Sequence, residues 1–524
     1  MTAVEEHAAT VGGPVEIARA NQLTGLIRTT VADSRTTFSP LDGQPVADVP
    51  VSSIDDVEAA FTAARDAQRA WSRTSVRERK RALLRFHDLV LDRQDELLDL
   101  IQIESGKSRA HAFDEVAHVA MTARYYARRL GGLLRTDRRN GVLPLLTSIR
   151  VDQVPKGVVG VISPWNYPLT MAVSDGLPAL AAGNAVVHKP DSQTPLTALA
   201  AVELLREAGF PADLWQVVSG PGSVIGTAII DRADYVCFTG STATGTGVAE
   251  RAAGRLISCS LELGGKNPMI VLPGAHLDRT VEGALGAAFS SAGQLCVSIE
   301  RLYVPRSIFD DFRDAFADRV QHLALGVGLD WDAEVGSLVS QAQLDTVTAH
   351  VADAVDRGAV VVAGGHHRPD IGPLVFEPTV LIDVPDDAVC FAGETFGPLV
   401  SLYPYDDVDE AVALANSGEY GLNASVWGPA REARAVAARI TAGTVNVNEG
   451  FGATFGSIDA PMGGMKSSGL GRRQGPEGLL RYTEPRSVGV QRLVPIAGPA
   501  FLAKRTYARL LTLGLRILRR TPRA

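Results

Sequence analysis

From residue 157 to residue 263, strand-length apolar runs alternate with helix-length segments, and that alternation leaves the chain few folds to adopt. Strands are expected at 158–162, 185–188, 214–218, 235–238 and 256–262, with helices near 170–182, 195–208, 223–230 and 243–254. This is the grammar of a doubly wound α/β sheet. A second α/β unit is expected from 264 to 445, with a long helix near 307–323, a strand at 359–362 and an amphipathic segment at 408–415. Ahead of the first sheet, residues 1–34 read as a polar arm. Ser53 then caps a helical pattern through Val57, Phe61, Ala64, Ala67 and Trp71, and further helical stretches lie near 76–104 and 110–135. Residues 148–154 alternate polar and apolar as a strand does.

Three segments on this frame carry chemistry. The run Leu261-Glu262-Leu263-Gly264-Gly265-Lys266-Asn267-Pro268 ends an apolar stretch on a carboxylate and two glycines, so the backbone can leave a strand and turn sharply beside a ligand. Cys296, in Gly293-Gln294-Leu295-Cys296, adds a thiol; a lone cysteine in such a stretch is commonly a small buried hydrophobe. Pro164-Trp165-Asn166-Tyr167-Pro168 follows directly on the 158–162 strand, whose C-terminal edge is where open α/β sheets bind ligands, and Asn166 puts an amide donor there. Thiol, carboxylate and amide together suggest covalent chemistry on a carbonyl. Gly240-Ser241-Thr242-Ala243-Thr244-Gly245 joins a strand to a helix, where free amides can hold a pyrophosphate. It is not G-x-G-x-x-G, and by itself it reads equally well as a structural turn.

Length and charge narrow the reading. A chain of 524 residues is too long for one simple core and suggests two or more domains. A net charge of −8 argues against nucleic-acid binding. Cys237, Cys259, Cys296 and Cys390 form no C-x-x-C pair and the histidines no H-E-x-x-H, so no metal site is expected. Residues 1–13 carry two glutamates and lack the roughly 7–15-residue apolar core of a signal peptide. With no run of roughly 18 apolar residues, a cytoplasmic address is expected.

These segments, together with Lys189-Pro190-Asp191-Ser192-Gln193-Thr194-Pro195, Phe238-Thr239-Gly240-Ser241-Thr242, Glu394-Thr395-Phe396-Gly397-Pro398, Pro461-Met462-Gly463-Gly464-Met465-Lys466 and Ser468-Gly469-Leu470-Gly471, resemble the aldehyde dehydrogenase superfamily in order and spacing from about residue 35 to about residue 490. The resemblance implies a dinucleotide-binding domain (35–143 and 156–263), a β oligomerisation arm (144–155 and 484–494) of a homodimer or homotetramer, and an α/β catalytic domain (264–483). Outside these lie the N-terminal arm (1–34) and a basic tail (495–524). It further implies that Cys296 attacks an aldehyde, that Asn166 and the Cys296 N–H hold the oxyanion, and that Glu262 activates water. Retention of Glu262 points to hydrolysis rather than transfer to coenzyme A. A non-enzymatic copy of the fold is set against the presence of Asn166, Lys189, Glu262, Cys296 and Glu394 together.

For the cofactor, the resemblance implies a nicotinamide dinucleotide held by Trp165, Asn166, Lys189, Pro190, Asp191, Ser192, Gly240, Ser241, Leu263, Glu394 and Phe396. Lys189 would contact the adenosine ribose, Glu394 the nicotinamide ribose, and Phe396 would press on the ring. NAD-preferring members often carry a glutamate where this chain has Ser192. A carboxylate there repels a 2′-phosphate and serine can donate to it, so NADP is expected, with NAD as second choice; Asp191 next door pulls the other way.

Lys189 to Pro195 and the loop Asn448 to Asp459 further resemble NADP-dependent succinate-semialdehyde dehydrogenases of the actinobacterial type, giving succinate semialdehyde as the expected substrate. Better-known enzymes of that activity grip the carboxylate with two arginines, at positions that are Ser174 and Ser290 here. Serines offer no charge-assisted fork. His118 and Arg124 are the substitute candidates, against an ordinary helix surface. Tyr167, Phe451 and Phe455 would make the tunnel apolar and aromatic, which keeps a medium-chain or aromatic aldehyde as the alternative.

The tail, Phe501 to Ala524, holds seven basic residues and no acidic one. Arg505, Arg509, Arg516, Arg519 or Arg520, and Arg523 recur at helical spacing, while Tyr507, Leu510, Leu511, Ile517 and Leu518 fall mostly elsewhere. Such a helix fits peripheral contact with an anionic membrane or, equally, docking on an acidic protein surface; Gly514 interrupts the pattern.

Overall fold

Runs such as Val158-Val159-Gly160-Val161-Ile162 and Tyr235-Val236-Cys237-Phe238 are apolar at nearly every position, so they suit a sheet covered on both faces. The computed structural model, which describes residues 17–143 and 146–519, puts them at the centre of one. The first sheet has six strands in the order Gly469–Leu470, Cys259–Glu262, Tyr235–Thr239, Val158–Ile162, Ala185–Lys189 and Trp215–Val217; only Gly469–Leu470 is antiparallel to its neighbour. From Val158–Ile162 the chain moves outward to Trp215–Val217 and then crosses back to Tyr235–Thr239. Strand order thus reverses beside Val158–Ile162, and such a reversal opens a crevice at the C-terminal strand ends. Ile162 leads there into Pro164-Trp165-Asn166, and Thr239 into Gly240-Ser241.

Helices Ile54–Trp71 and Pro168–Ala182 pack on the strands at 158–162 and 185–189. The first is started by Ser53, whose hydroxyl accepts from Asp56 N while Asp56 accepts from Ser53 N, a reciprocal cap that satisfies two donors at once. The second sheet has seven strands, ordered Val360–Ala363, Thr379–Ile382, Leu399–Tyr405, Ile299–Pro305, Asn267–Val271, Asn423–Trp427 and Thr444–Val447, with only Val360–Ala363 antiparallel. Each sheet has its own core, one around Val159, Leu177 and Val187, the other around Val271, Leu302 and Leu402.

Several expectations need correction. The arm at 1–34 is not polar throughout: Ile17–Thr24 is a helix, and Ala20, Leu23 and Ile27 recur three and four residues apart and are buried in the first core, where Ile27 bridges Val217. Residues 1–16 of that arm lie outside the described residues. The stretch 76–104 is two helices, Val76–Asp92 and Gln94–Ser105, bent at Arg93 (φ −107°, ψ 21°). Helix Gln94–Ser105 is packed by Arg109–Leu133, Pro195–Glu207 and Pro168–Ala182 on more than one side, so Leu97, Leu98, Leu100 and Ile101 are all buried, beyond the single stripe of a surface helix. The strand expected at 256–262 starts at Cys259, because Leu256 has φ 57° and is 95% exposed. Gly469–Leu470 leaves the expected 264–483 unit to pair with Leu261 and Glu262 of the first sheet. The arm is three-stranded: Thr483–Gln491 and Asp137–Asn140 flank Thr147–Pro155, while residues 144 and 145 lie outside the described residues.

Candidate active site

Cys296 follows a strained turn. Ser291, Ala292 and Gly293 have φ of 51°, 54° and 70°, a region that costs a non-glycine residue about 1–3 kcal/mol and persists only where neighbours enforce it. Here they do. The Tyr167 hydroxyl meets Ser291 Oγ at 2.9 Å, and Gln294 donates to Ser291 O and accepts from Val339 N. Asn267 Nδ2 donates to the Cys296 carbonyl at 2.8 Å. Gly265 lies so near that a Cβ there would meet that carbonyl at 2.7 Å, which is the close approach a glycine permits.

Asn166 is buried at the end of the Val158–Ile162 strand, and its Nδ2 donates to Gln294 O at 3.0 Å. An amide nitrogen carries two protons, so one N–H remains for a reacting oxygen. The Asn166 backbone is fixed by Lys107, whose Nζ donates to Asn166 O at 2.7 Å and to Glu115 Oε1 at 2.6 Å. Glu115 in turn accepts from Leu169 N and Thr170 N at the start of helix Pro168–Ala182, 2.9 Å each. This buried pair ties the asparagine loop to that helix.

Glu262 is 5% exposed and its Oε1 has no hydrogen-bond partner among the described residues, leaving lone pairs for a water. Burial pushes its carboxyl up to about 7, although Arg473 opposes the shift. Burial also pushes the Cys296 thiol up to about 12, and the carboxylates of Glu262 and Glu394 act in the same direction. Arg473 is itself buried, with Nε and Nη2 on Asp175 at 3.0 and 2.8 Å; Arg481 adds a bond to Asp175 at 2.6 Å. Burial works against the Asp175 anion, but the two guanidinium groups outweigh it and hold the carboxyl below its usual range.

Cys296 and Glu262 open on a cavity of about 250 Å³ that is also lined by Trp165, Asn166, Gly240, Ser241, Leu263, Glu394 and Phe396. Ser241 caps helix Thr242–Gly254, and Gly245 lets that helix lie against Leu263, since a Cβ at 245 would meet the leucine side chain at 2.3 Å. Glu394 Oε1 accepts from Gly265 N at 2.7 Å. Glu300, paired with Lys266, accepts from Thr395 N and Phe396 N and so fixes the segment that presents Phe396 edge-on to Trp165. Lys189, Pro190, Asp191 and Ser192 do not line this cavity. They sit one strand along the same edge, where Lys189 Nζ donates to Pro190 O and Asp191 Oδ1 accepts from Gln193 N at 2.9 Å. Helix-end amides for a pyrophosphate, a buried lysine, and a glutamate able to accept from hydroxyls fit a dinucleotide laid along this edge.

A second cavity of about 380 Å³ includes Ser290 in its lining, at the start of the turn that precedes Cys296. His118, Met121, Tyr167, Trp427, Phe451 and Phe455 give it an apolar, aromatic wall. Its charged lining residues are Asp114, Glu282 and Glu449, with no arginine or lysine among them. Arg124 is exposed and does not line it, which corrects one of the two substitute candidates. Ser174 is buried inside its helix and is not a lining residue, and the Ser290 hydroxyl donates to Gly286 O at 2.6 Å. His118 does line the cavity, its ring centre 4.5 Å from that of Phe455 and tilted by 31°, and burial keeps it neutral with its pKa lowered to about 3.

Residues 28–488 match the Aldehyde dehydrogenase family. The chain belongs to that family. Among its relatives, a Mycolicibacterium smegmatis protein provisionally named a succinate-semialdehyde dehydrogenase [NADP(+)] is 49% identical over 508 residues, 97% of this chain and 98% of its own length. The Escherichia coli succinate-semialdehyde dehydrogenase [NADP(+)] GabD is 38% identical, covering 85% of this chain and 92% of its own. Among solved structures, an E. coli NADP-dependent enzyme superimposes with a TM-score of 0.85 at 35% identity, over 89% of this chain and 96% of that one. An aldehyde dehydrogenase from Bacillus cereus in complex with NAD+ gives 0.83 at 34% identity, over 88% and 93%.

The sequence reading of this family member passed over Lys107, Glu115, Asp175, Glu300, Arg473 and Arg481. Each bonds a partner remote in sequence, with Arg473 and Asp175 separated by 298 positions. A lysine in the link between two helices and a glutamate on the second of them are individually unremarked residue types. Nothing in their local pattern separates them from a solvated face.

Proposed function

We propose that this chain oxidises an aldehyde to its carboxylic acid through a thioester on Cys296, using NADP, and that its substrate is succinate semialdehyde. The observation that carries the chemistry is one cavity holding a thiol, a buried carboxylate with a free oxygen, and a side-chain amide with an unused N–H. Cys296 gives up its thiol proton to solvent, and Sγ adds as the thiolate to the carbonyl carbon while the C=O pair moves onto the oxygen. Asn166 Nδ2 and the Cys296 N–H receive the developing oxyanion, each such donor being worth about 2.7–4 kcal/mol. The bound dinucleotide supplies the acceptor for the hydride leaving that carbon. Glu262 then takes a proton from water as it attacks the thioester, the C–S bond breaks to release the acid, and the sulfur regains its proton from the Glu262 carboxyl.

Ser192 in place of a carboxylate, and relatives named for NADP(+), support that cofactor over NAD. Succinate semialdehyde rests on the same names. The cation-free wall of the Ser290 cavity supports a second reading, a neutral medium-chain or aromatic aldehyde. Steady-state kcat/KM for succinate semialdehyde, butanal and benzaldehyde, each with NAD and NADP, tests both. A kcat/KM for butanal above that for succinate semialdehyde overturns the first reading in favour of the second. The proposal includes a homodimer or homotetramer formed through the three-stranded sheet, since the edge strand Thr483–Gln491 is exposed along most of its length.

A further inference from the structure

Beyond the arm, Tyr507 OH donates to Ile496 O at 2.7 Å and anchors the start of a helix, Lys504–Leu518, that runs without a break through Gly514. Arg520 and Arg523, counted above in its basic stripe, lie outside the described residues. At about 100° per residue, Arg505, Arg509, Arg516 and Arg519 share roughly a quarter of the circumference. Leu510, Leu511, Leu513, Leu515 and Ile517 occupy the rest, and they are 36–67% exposed. The chain's own body therefore leaves the apolar face uncovered. A protein partner would need that face only, whereas a stripe of arginines with no acidic residue from 501 to 524 is matched by a surface that sets anionic groups beside an apolar layer.

We propose that helix Lys504–Leu518 lies in the surface of an anionic lipid bilayer, with its leucines in the acyl boundary and its arginines at the phosphates. No helix among the described residues is long and apolar enough to cross a membrane, so the attachment is peripheral. The inference is independent of the substrate.

The test is co-sedimentation of the purified full chain with vesicles of phosphatidylglycerol and phosphatidylcholine, and with phosphatidylcholine alone. The full chain pellets with the anionic vesicles, less so as salt rises, and stays in the supernatant with the neutral ones. Arg505→Gln and Arg509→Gln each weaken binding about fivefold. Leu513→Asp, at an exposed position that leaves the fold untouched, abolishes it, as does truncation after Pro499. Equal recovery of full and truncated chains in the supernatant overturns the proposal, and so does equal binding to both lipids. Loss of the oligomer on truncation, measured by analytical ultracentrifugation and without any vesicle binding by the full chain, overturns it in favour of a second copy as the occupant.

Discussion

Lys107→Met removes the charge that compensates Glu115 in a place where the two side chains are only 2% and 0% exposed. Breaking a buried pair from one side typically costs about 3–5 kcal/mol, because the remaining charge keeps its desolvation penalty. Lys107 Nζ also lies 3.6 Å from the centre of the Tyr167 ring, a further contact worth on the order of 1 kcal/mol. Glu115 keeps two amide donors, and burial already raises its pKa, so it relaxes by taking up a proton. The deficit is therefore expected to shrink as pH falls: a carboxyl whose folded-state pKa is raised favours the folded state under acidic conditions. We expect a loss of about 3–5 kcal/mol at neutral pH in urea unfolding. A fall in kcat exceeding any rise in KM should accompany it, since the Asn166 carbonyl loses its tether. Adding Glu115→Gln should recover most of the stability but not the rate. A single variant within about 1 kcal/mol of the parent refutes the energetic argument, and a double variant with full kcat refutes the positioning one.

Cys296→Ala should abolish aldehyde oxidation while dinucleotide binding, followed by fluorescence titration, persists; retained turnover would remove Cys296 from the mechanism. Glu262→Gln should leave a pre-steady-state burst of reduced cofactor and stall turnover. In the parent, the base works only as the carboxylate, so kcat should rise with pH through about 7, and that limb should vanish in the variant. Ser192→Glu should shift the ratio of kcat/KM values from NADP toward NAD, and an unchanged ratio would mean that residue 192 does not face the ribose phosphate.

The first sheet was legible because its strands are continuous apolar runs and each helix begins at a recognisable turn, as Ser241 does for Thr242–Gly254. Asn166, Glu262 and Cys296 could be picked out because each lies two or three residues from a glycine or proline near a strand end or turn, Glu394 and Phe396 only through the family resemblance, and all five line one cavity. What escaped was set by tertiary contact. The bend at Arg93 answers to where the core lies, and nothing in Leu97-Leu98-Asp99-Leu100-Ile101 announces it. The helix Ile17–Thr24 is short and mixed in character, and only its packing on Pro45–Pro50 and Pro195–Glu207, with Ile27 bridging Val217, makes Leu23 and Ile27 core residues. Lys266–Glu300 and Asp175–Arg473 are likewise partners that only the fold introduces.

The return of Gly469–Leu470 to the first sheet has a cost during synthesis. Strand Cys259–Glu262 is complete once residue 262 has left the ribosome, but its outer edge finds no partner until residue 469 does, roughly 200 residues later. At roughly 5–20 residues per second, that edge stays open for about 10–40 seconds in every nascent chain. An unpaired edge of this kind can template pairing with another chain. The strand that bears Glu262 is thus where premature association between nascent copies would begin, and a chaperone that covers such edges would act on this segment first.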